Sequence, residues 1–278
     1  MEVNKESIKN NNKLITILKG MIVGGTMLVP GISGGSIAMI LGIYDKLIYA
    51  VSSFNKHKRK SLLFLGLFSL GGGLGMILFA NPLLLLIERY TKPMLYFFLG
   101  AVAGGIPLIL KQAKVERFSW KIPIYICLGL LIVMLFAVLP ATSFDFNIRA
   151  GIINFLPLLL VGIVIAIALV LPGISISYVL LVMGLYDETM HSIAELYMPF
   201  LVPLGIGLII GIILTTKTLE HAMQKHPQPT YLIIFGFVLG SMAEVFPGIP
   251  SDFEWIICSI MLIAGFFAIQ LLSWKENK

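Results

Sequence analysis

The sequence predicts an all-α, polytopic membrane protein made of two inverted-topology repeats, each carrying a helical hairpin broken at a Pro-Gly step. Three observations predict it. Hydrophobic residues make up 58% of the 278 and charged residues 12%, about half the roughly 25% of a soluble domain. The chain divides into ten apolar runs separated by short polar loops. One stretch of 16 residues occurs twice in recognisable form.

A mean hydropathy of +0.96 excludes a cytosolic enzyme, because 20 Lys and Arg with 14 Asp and Glu cannot cover the surface of a soluble domain of this size. Disorder and a disulfide-stapled secreted fold are excluded with it. Cys127 and Cys258 both sit inside apolar runs and offer neither a disulfide framework nor a metal set. His57, His191, His221 and His226 lie in loops without metal-ligand spacing, and no nucleophile or nucleotide motif is present. No cofactor, metal or nucleic-acid partner is expected. Leu14–Val29 has a basic flank like a signal peptide, but no small-residue cleavage site ends it and the same pattern recurs mid-chain.

The runs are Leu14–Val29, Ile32–Val51, Leu62–Ile87, Met94–Leu110, Ile122–Leu139, Ile152–Leu171, Ile174–Leu185, Phe200–Leu214, Tyr231–Phe246 and Trp255–Leu272. Most approach the roughly 20 residues a helix needs to cross a bilayer. The expected layout is a polar cytoplasmic tail over 1–13, a first membrane repeat over 14–140, a second over 152–273 and a short tail over 274–278.

Duplication rests on particular residues. Residues 30–45 read PGISGGSIAMILGIYD and residues 172–187 read PGISISYVLLVMGLYD, with seven identities at an offset of 142. Further on, Gly71, Gly75, Pro93, Gly100, Val102 and Gly104 match Gly207, Gly211, Pro229, Gly236, Val238 and Gly240 at an offset of 136. The two runs around each Pro-Gly are either two crossings or one re-entrant hairpin. Three more crossings follow, so each half holds an odd number and the second half is inverted.

Charge supports this layout independently. With the N-terminus inside, the inner segments hold Lys5, Lys9, Lys13, Lys19, Lys46, the Lys56–Lys60 cluster, Lys111, Lys114, Arg117, Lys121, Lys217, Lys225, Lys275 and Lys278, or 17 of the 20 basic residues. Arg89, Lys92 and Arg149 remain outside. This is the asymmetry that orients membrane helices.

The first candidate site is Pro30, Gly31, Ser33, Gly34, Gly35 and Ser36 with its echo Pro172, Gly173, Ser175 and Ser177. Proline and glycine break a helix, and serine caps the one that resumes. Freed amides at membrane depth are tolerated only against protein or a wet cavity, and resumed helix N-termini attract anions. Inversion would bring the two breaks together near the midplane. The alternative is a plain Pro-Gly turn with capping serines.

Each motif closes on Tyr44-Asp45 or Tyr186-Asp187. The carboxylates either titrate during transport or cap the next helix. Glu244 lies within an apolar run and ranks first as a coupling carboxylate; its alternative is an end-of-helix residue. Arg89, whose repeat counterpart is Lys225, is either a phosphate contact or a snorkelling cation. Gly71–Gly75 resembles a nucleotide loop but is read as a helix-packing surface.

At PGISGGSIAMILGIYD the sequence resembles the PopT-type polyprenyl-phosphate transporters, and the resemblance extends over essentially the whole chain. It rests on the early Pro-Gly-x-Ser-Gly-Gly, the following G-x-Y-[DE] and the second Pro-Gly-x-Ser. It implies a multi-pass bacterial plasma-membrane flippase, not an enzyme, that returns undecaprenyl phosphate from the outer to the inner leaflet for cell-wall synthesis. By motif, Pro30, Gly31, Ser33, Gly34, Gly35, Gly42 and Tyr44 carry over, as do Pro172, Gly173, Ser175, Gly184 and Tyr186. The second copy has Ile176 and Ser177 in place of two glycines. Two alternatives stay open. Membrane undecaprenyl-diphosphate phosphatases share a Pro-Gly-x-Ser motif, but theirs continues with Arg-Ser, and Gly34 stands where the Arg would be. A transporter for a small soluble anion is the other.

Overall fold

The computed structural model describes residues 12–27, 33–115, 119–138, 155–251 and 254–274. Pro30 and Gly31, residues 1–11, Arg117, Arg149 and the tail 275–278 lie outside the described residues. Twelve helices account for nearly all of the rest. The first half holds α1 (Lys13–Thr26), α2 (Gly34–Ile40), α3 (Tyr44–Ser52), α4 (Lys58–Arg89), α5 (Thr91–Gln112) and α6 (Lys121–Val138). The second holds α7 (Phe155–Val170), α8 (Ile176–Val182), α9 (Tyr186–Ala194), α10 (Met198–Lys225), α11 (Pro227–Val245) and α12 (Glu254–Trp274). The element order repeats, down to seven-residue α2 and α8 and nine-residue α3 and α9.

α4, α5, α10 and α12 are long and apolar enough to cross a membrane, and α2 and α3 are so only when taken together, with a bend of 113° between them. α6 and α7 are shorter apolar helices. The outward face of α12 shows why its residues suit lipid: Ile256, Ile260, Ile263, Phe267 and Leu271 are all exposed and recur every three or four positions. Water would not tolerate that stripe, whereas hydrocarbon does.

The run Ile32–Val51 reads as one helix in sequence but is two in the structure. Gly42 lies at φ 67° and its counterpart Gly184 at φ 66°, a left-handed conformation that a side chain disfavours. Both halves therefore turn at the glycine of G-x-Y-D, and Lys19 of α1 donates to the freed Leu41 carbonyl at the first turn.

Close backbone approach holds the long helices. α1 packs on α4 and α7 on α10; a Cβ on Gly71 would sit 2.2 Å from the Ile17 carbonyl oxygen, and one on Gly207 2.0 Å from that of Leu159. The glycine-rich run of α4 is thus a packing surface. Between halves, α5 pairs with α12 and α6 with α11. α5 and α11, which correspond by repeat, run antiparallel. Tyr96 near the start of α5 meets Phe246 beyond the end of α11, and Gln112 at the end of α5 shares Asp45 with Tyr231 near the start of α11. The main core lies around the first hairpin, where Met39, Ile40 and Ile43 are buried against α5 and α11 residues such as Ile109, Leu232 and Val238.

Candidate functional site

The two broken segments touch. A Cβ on Gly35 would lie 3.1 Å from Cα of Pro172, so the Pro-Gly step of the second half rests against the first turn of α2. Gly173 is at φ +87°, with the Phe237 carbonyl oxygen 2.3 Å from where a Cβ would stand. Only glycine fits both restraints. Tyr44 ties the same junction, donating its hydroxyl to the Val170 carbonyl at 2.7 Å.

Beside this junction is a cavity of about 320 Å³. Ser33, Gly34, Gly35 and Tyr44 line it from the first half, and Ser175 and Ser177 from the second. Apart from Thr216 its remaining wall is apolar, with Val23, Met27, Leu47, Phe68 and Ile212 among the contributors. Among the described residues no Lys, Arg, Asp or Glu lines it. The resumed helices are seven residues long, so what they offer an anion is local: first-turn amides that have no acceptor within the helix. Ser175 spends its oxygen on the Tyr178 amide, which leaves its hydroxyl hydrogen to donate. The arrangement is a set of neutral donors at the narrow meeting of two broken segments, with an oily wall beside it.

Other expected residues lie elsewhere. Ser36 is buried on the far face of α2, where its hydroxyl finds no partner and borders a separate void of about 10 Å³ shared with Ser33 and Ser241. Tyr186 packs half-buried against Val161, Ile165, Leu180 and Leu185. Arg89 ends α4, stacked 5.8 Å above the Tyr90 ring. It is 21 residues from Phe68 of the cavity wall, or about 30 Å along a helix. Asp187 is exposed on α9. Glu244 belongs to the last turn of α11.

Asp45 differs from Asp187. Its carboxylate accepts from the Tyr231 hydroxyl at 2.8 Å and from the Gln112 side-chain amide at 3.2 Å, while its second oxygen is buried without a donor. Nearby, the Ser52 hydroxyl donates to Glu220, which also accepts from Gln224 at 2.8 Å. Asp45 and Glu220 border one small polar cavity of about 60 Å³. No sequence signal pointed to these partners, since Tyr231, Gln112 and Glu220 sit in no motif.

A profile described as undecaprenyl phosphate translocase-like matches residues 23–257. The chain belongs to that family. A polyprenyl-phosphate transporter of Staphylococcus aureus is 32% identical over 267 residues, covering 91% of this chain and 94% of the relative. A polyprenyl-phosphate transporter of Vibrio cholerae serotype O1 is 25% identical over 253 residues, covering 86% and 79%. No solved structure matches the chain. As an undecaprenyl phosphate translocase-like protein it is a multi-pass bacterial membrane protein, and the relatives just named are transporters.

Proposed function

We propose that the chain moves a polyprenyl monophosphate, with undecaprenyl phosphate as the first candidate, across the cytoplasmic membrane from the outer to the inner leaflet. The observation that carries the reading is the contact of Gly35 with Pro172 beside a cavity of neutral donors. The phosphate sits among Ser33, Gly34, Gly35, Ser175 and Ser177, held by hydroxyls and amides, and the prenyl chain lies along the apolar wall. Neutral donors suit a carrier that must release its cargo, because a buried ion pair resists separation.

The antiparallel α5 and α11 support inverted repeats and alternating access. The charge distribution supports cytoplasmic termini. Inward movement of about −1.5 to −2 charges against an inside-negative potential costs roughly 3–5 kcal/mol per 100 mV, while a tenfold concentration gradient supplies about 1.4 kcal/mol. Cations, most simply protons, therefore accompany the lipid. Carriers are the phosphate and one carboxylate among Asp45, Asp187 and Glu244. Asp45 is placed best, because it follows Tyr44 of the cavity and its free oxygen is a buried acceptor.

The test is leaflet-resolved uptake into liposomes by purified protein, comparing polyprenyl phosphate with inorganic phosphate. Uptake of the lipid alone supports the reading. Uptake of inorganic phosphate alone replaces it with a soluble-anion transporter, and hydrolysis of a polyprenyl diphosphate replaces it with a phosphatase.

A further inference from the structure

The cavity does not stop at the hairpins. It runs along α3 past Leu47 and Ile48 to Val51, between Phe68 of α4 and Ile212 and Thr216 of α10. Val51 also borders a second hollow of about 130 Å³, formed by Ser52, Phe54, Asn55, Leu65, Ile213 and Lys217. The two hollows share Val51, and on α10 their linings are adjacent residues, 212 beside 213 and 216 beside 217. Meeting at Val51, the two are read as successive parts of one track. Its deep end is uncharged, and Lys217 stands at the other.

Length fits a bilayer. Tyr44 to Val51 is seven residues of α3, about 10 Å at helical rise. The half-thickness of the hydrocarbon core is about 15 Å. If the hairpin junction lies near mid-depth, the second hollow lies where hydrocarbon gives way to water. Other cations of the same region, Lys56, Lys58, Arg59 and Lys60, are exposed in the loop and first turn that follow α3. Lys217 alone borders the track. It forms no ion pair among the described residues. Glu220, one turn on, accepts from Ser52 and Gln224. At the repeat offset of 136, the counterpart of Lys217 is Asn81, so only one end of the molecule carries this cation.

We propose that Lys217, with Asn55, forms a second station for the phosphate monoester head group, at the lysine-rich end of the track. The proposal rests on the transport reading above and adds where the head group pauses. The deep site holds the phosphate through neutral donors, and Lys217 receives it where a cation costs little desolvation. The station cannot drive net transport, since a binding site shifts no overall equilibrium. It sets affinity at one face only. Arg in its place would serve, because the requirement is a positive donor.

The test uses the full chain in phosphatidylcholine vesicles, with farnesyl phosphate as probe and phosphatase added outside to count exposed head groups. Lys217→Gln is expected to raise the half-saturating probe concentration about tenfold, the scale of one charge-assisted hydrogen bond, while Lys217→Arg and Lys225→Gln stay near wild type. Wild-type protein is also expected to lose affinity between about 0.01 M and about 1 M salt, as screening shortens from about 30 Å to about 3 Å, whereas Lys217→Gln does not. If Lys217→Gln matches wild type, or Lys225→Gln falls equally, Lys217 is an interfacial snorkelling cation and the station is wrong. A salt-independent wild type overturns it without any substitution. If wild-type protein exchanges no probe while well folded, the transport reading itself falls and takes the station with it.

Discussion

The Tyr44 hydroxyl, from the first half, bonds the Val170 carbonyl of the second across 126 residues of sequence, at the point where α7 stops. A helix end inside a membrane must place its last carbonyls somewhere, and here one is met by a side chain from the other half of the chain. Tyr44→Phe leaves that carbonyl without its donor, at about 1–3 kcal/mol. The expected result is a melting temperature lowered by a few degrees in detergent, with slower transport. Unchanged melting would show that water replaces the hydroxyl.

Gly34 and Gly173 should fail differently. A Cβ on Gly34 meets only the flexible end of Met27, with its sulfur at 2.8 Å, so Gly34→Leu is expected to insert and fold while filling the cavity and abolishing transport. Gly173→Ala meets a fixed carbonyl at 2.3 Å with φ at +87° and is expected to lower the yield of folded protein. Size-exclusion profiles alongside uptake rates separate the two.

The two motif aspartates should also part company. Asp45→Asn is expected to abolish acceleration of uptake by an imposed pH gradient, because Asp45 is tied to Tyr231 and Gln112 beside the cavity. Asp187→Asn, exposed on α9, is expected to stay within about twofold, as for most surface substitutions. Equal loss in both would remove the distinction between the hairpins.

Orientation can be read by cysteine labelling in a background lacking Cys127 and Cys258. A Cys at Ser251, which is exposed, is expected to react from outside in whole cells. A Cys at Lys58, exposed at the start of α4, is expected to react only after permeabilisation. Ser61 is a poor choice for the inner probe, since it is fully buried and would be spared from either side. Labelling of position 58 but not 251 in intact cells would reverse the topology.

Some of this was legible in the sequence because it is carried by residues with few alternatives. PGIS and G-x-Y-D at a fixed offset marked out the two segments that the structure brings into contact at Gly35 and Pro172. The break at Gly42 was hidden inside a continuous apolar run, since glycine within such a run serves packing as readily as turning. The partners of Asp45 were hidden for another reason. Tyr231 is 186 residues away, and an isolated tyrosine at a helix start carries no periodic or motif signal. The separate position of Ser36 was hidden because each successive residue of a helix points about 100° further round the axis, and nothing in the sequence fixes the rotation of α2.

The fastening of α3 has a consequence for how the carrier behaves when empty. Asp45 is held by Tyr231 and Gln112, and Ser52 by Glu220. At the repeat offsets, the positions matching Tyr231, Gln112, Ser52 and Glu220 hold Leu95, Gly248, Ala194 and Leu84. None has a side chain able to form a hydrogen bond. A conformation with the two hairpins exchanged would come without these latches. At about 1 kcal/mol net for each of three bonds, the latched arrangement outweighs its mirror image by on the order of 100-fold. On the transport reading proposed above, these latches make the carrier spring-loaded toward this pose: bound cargo would have to hold the other one, and its release would let the protein swing back unaided.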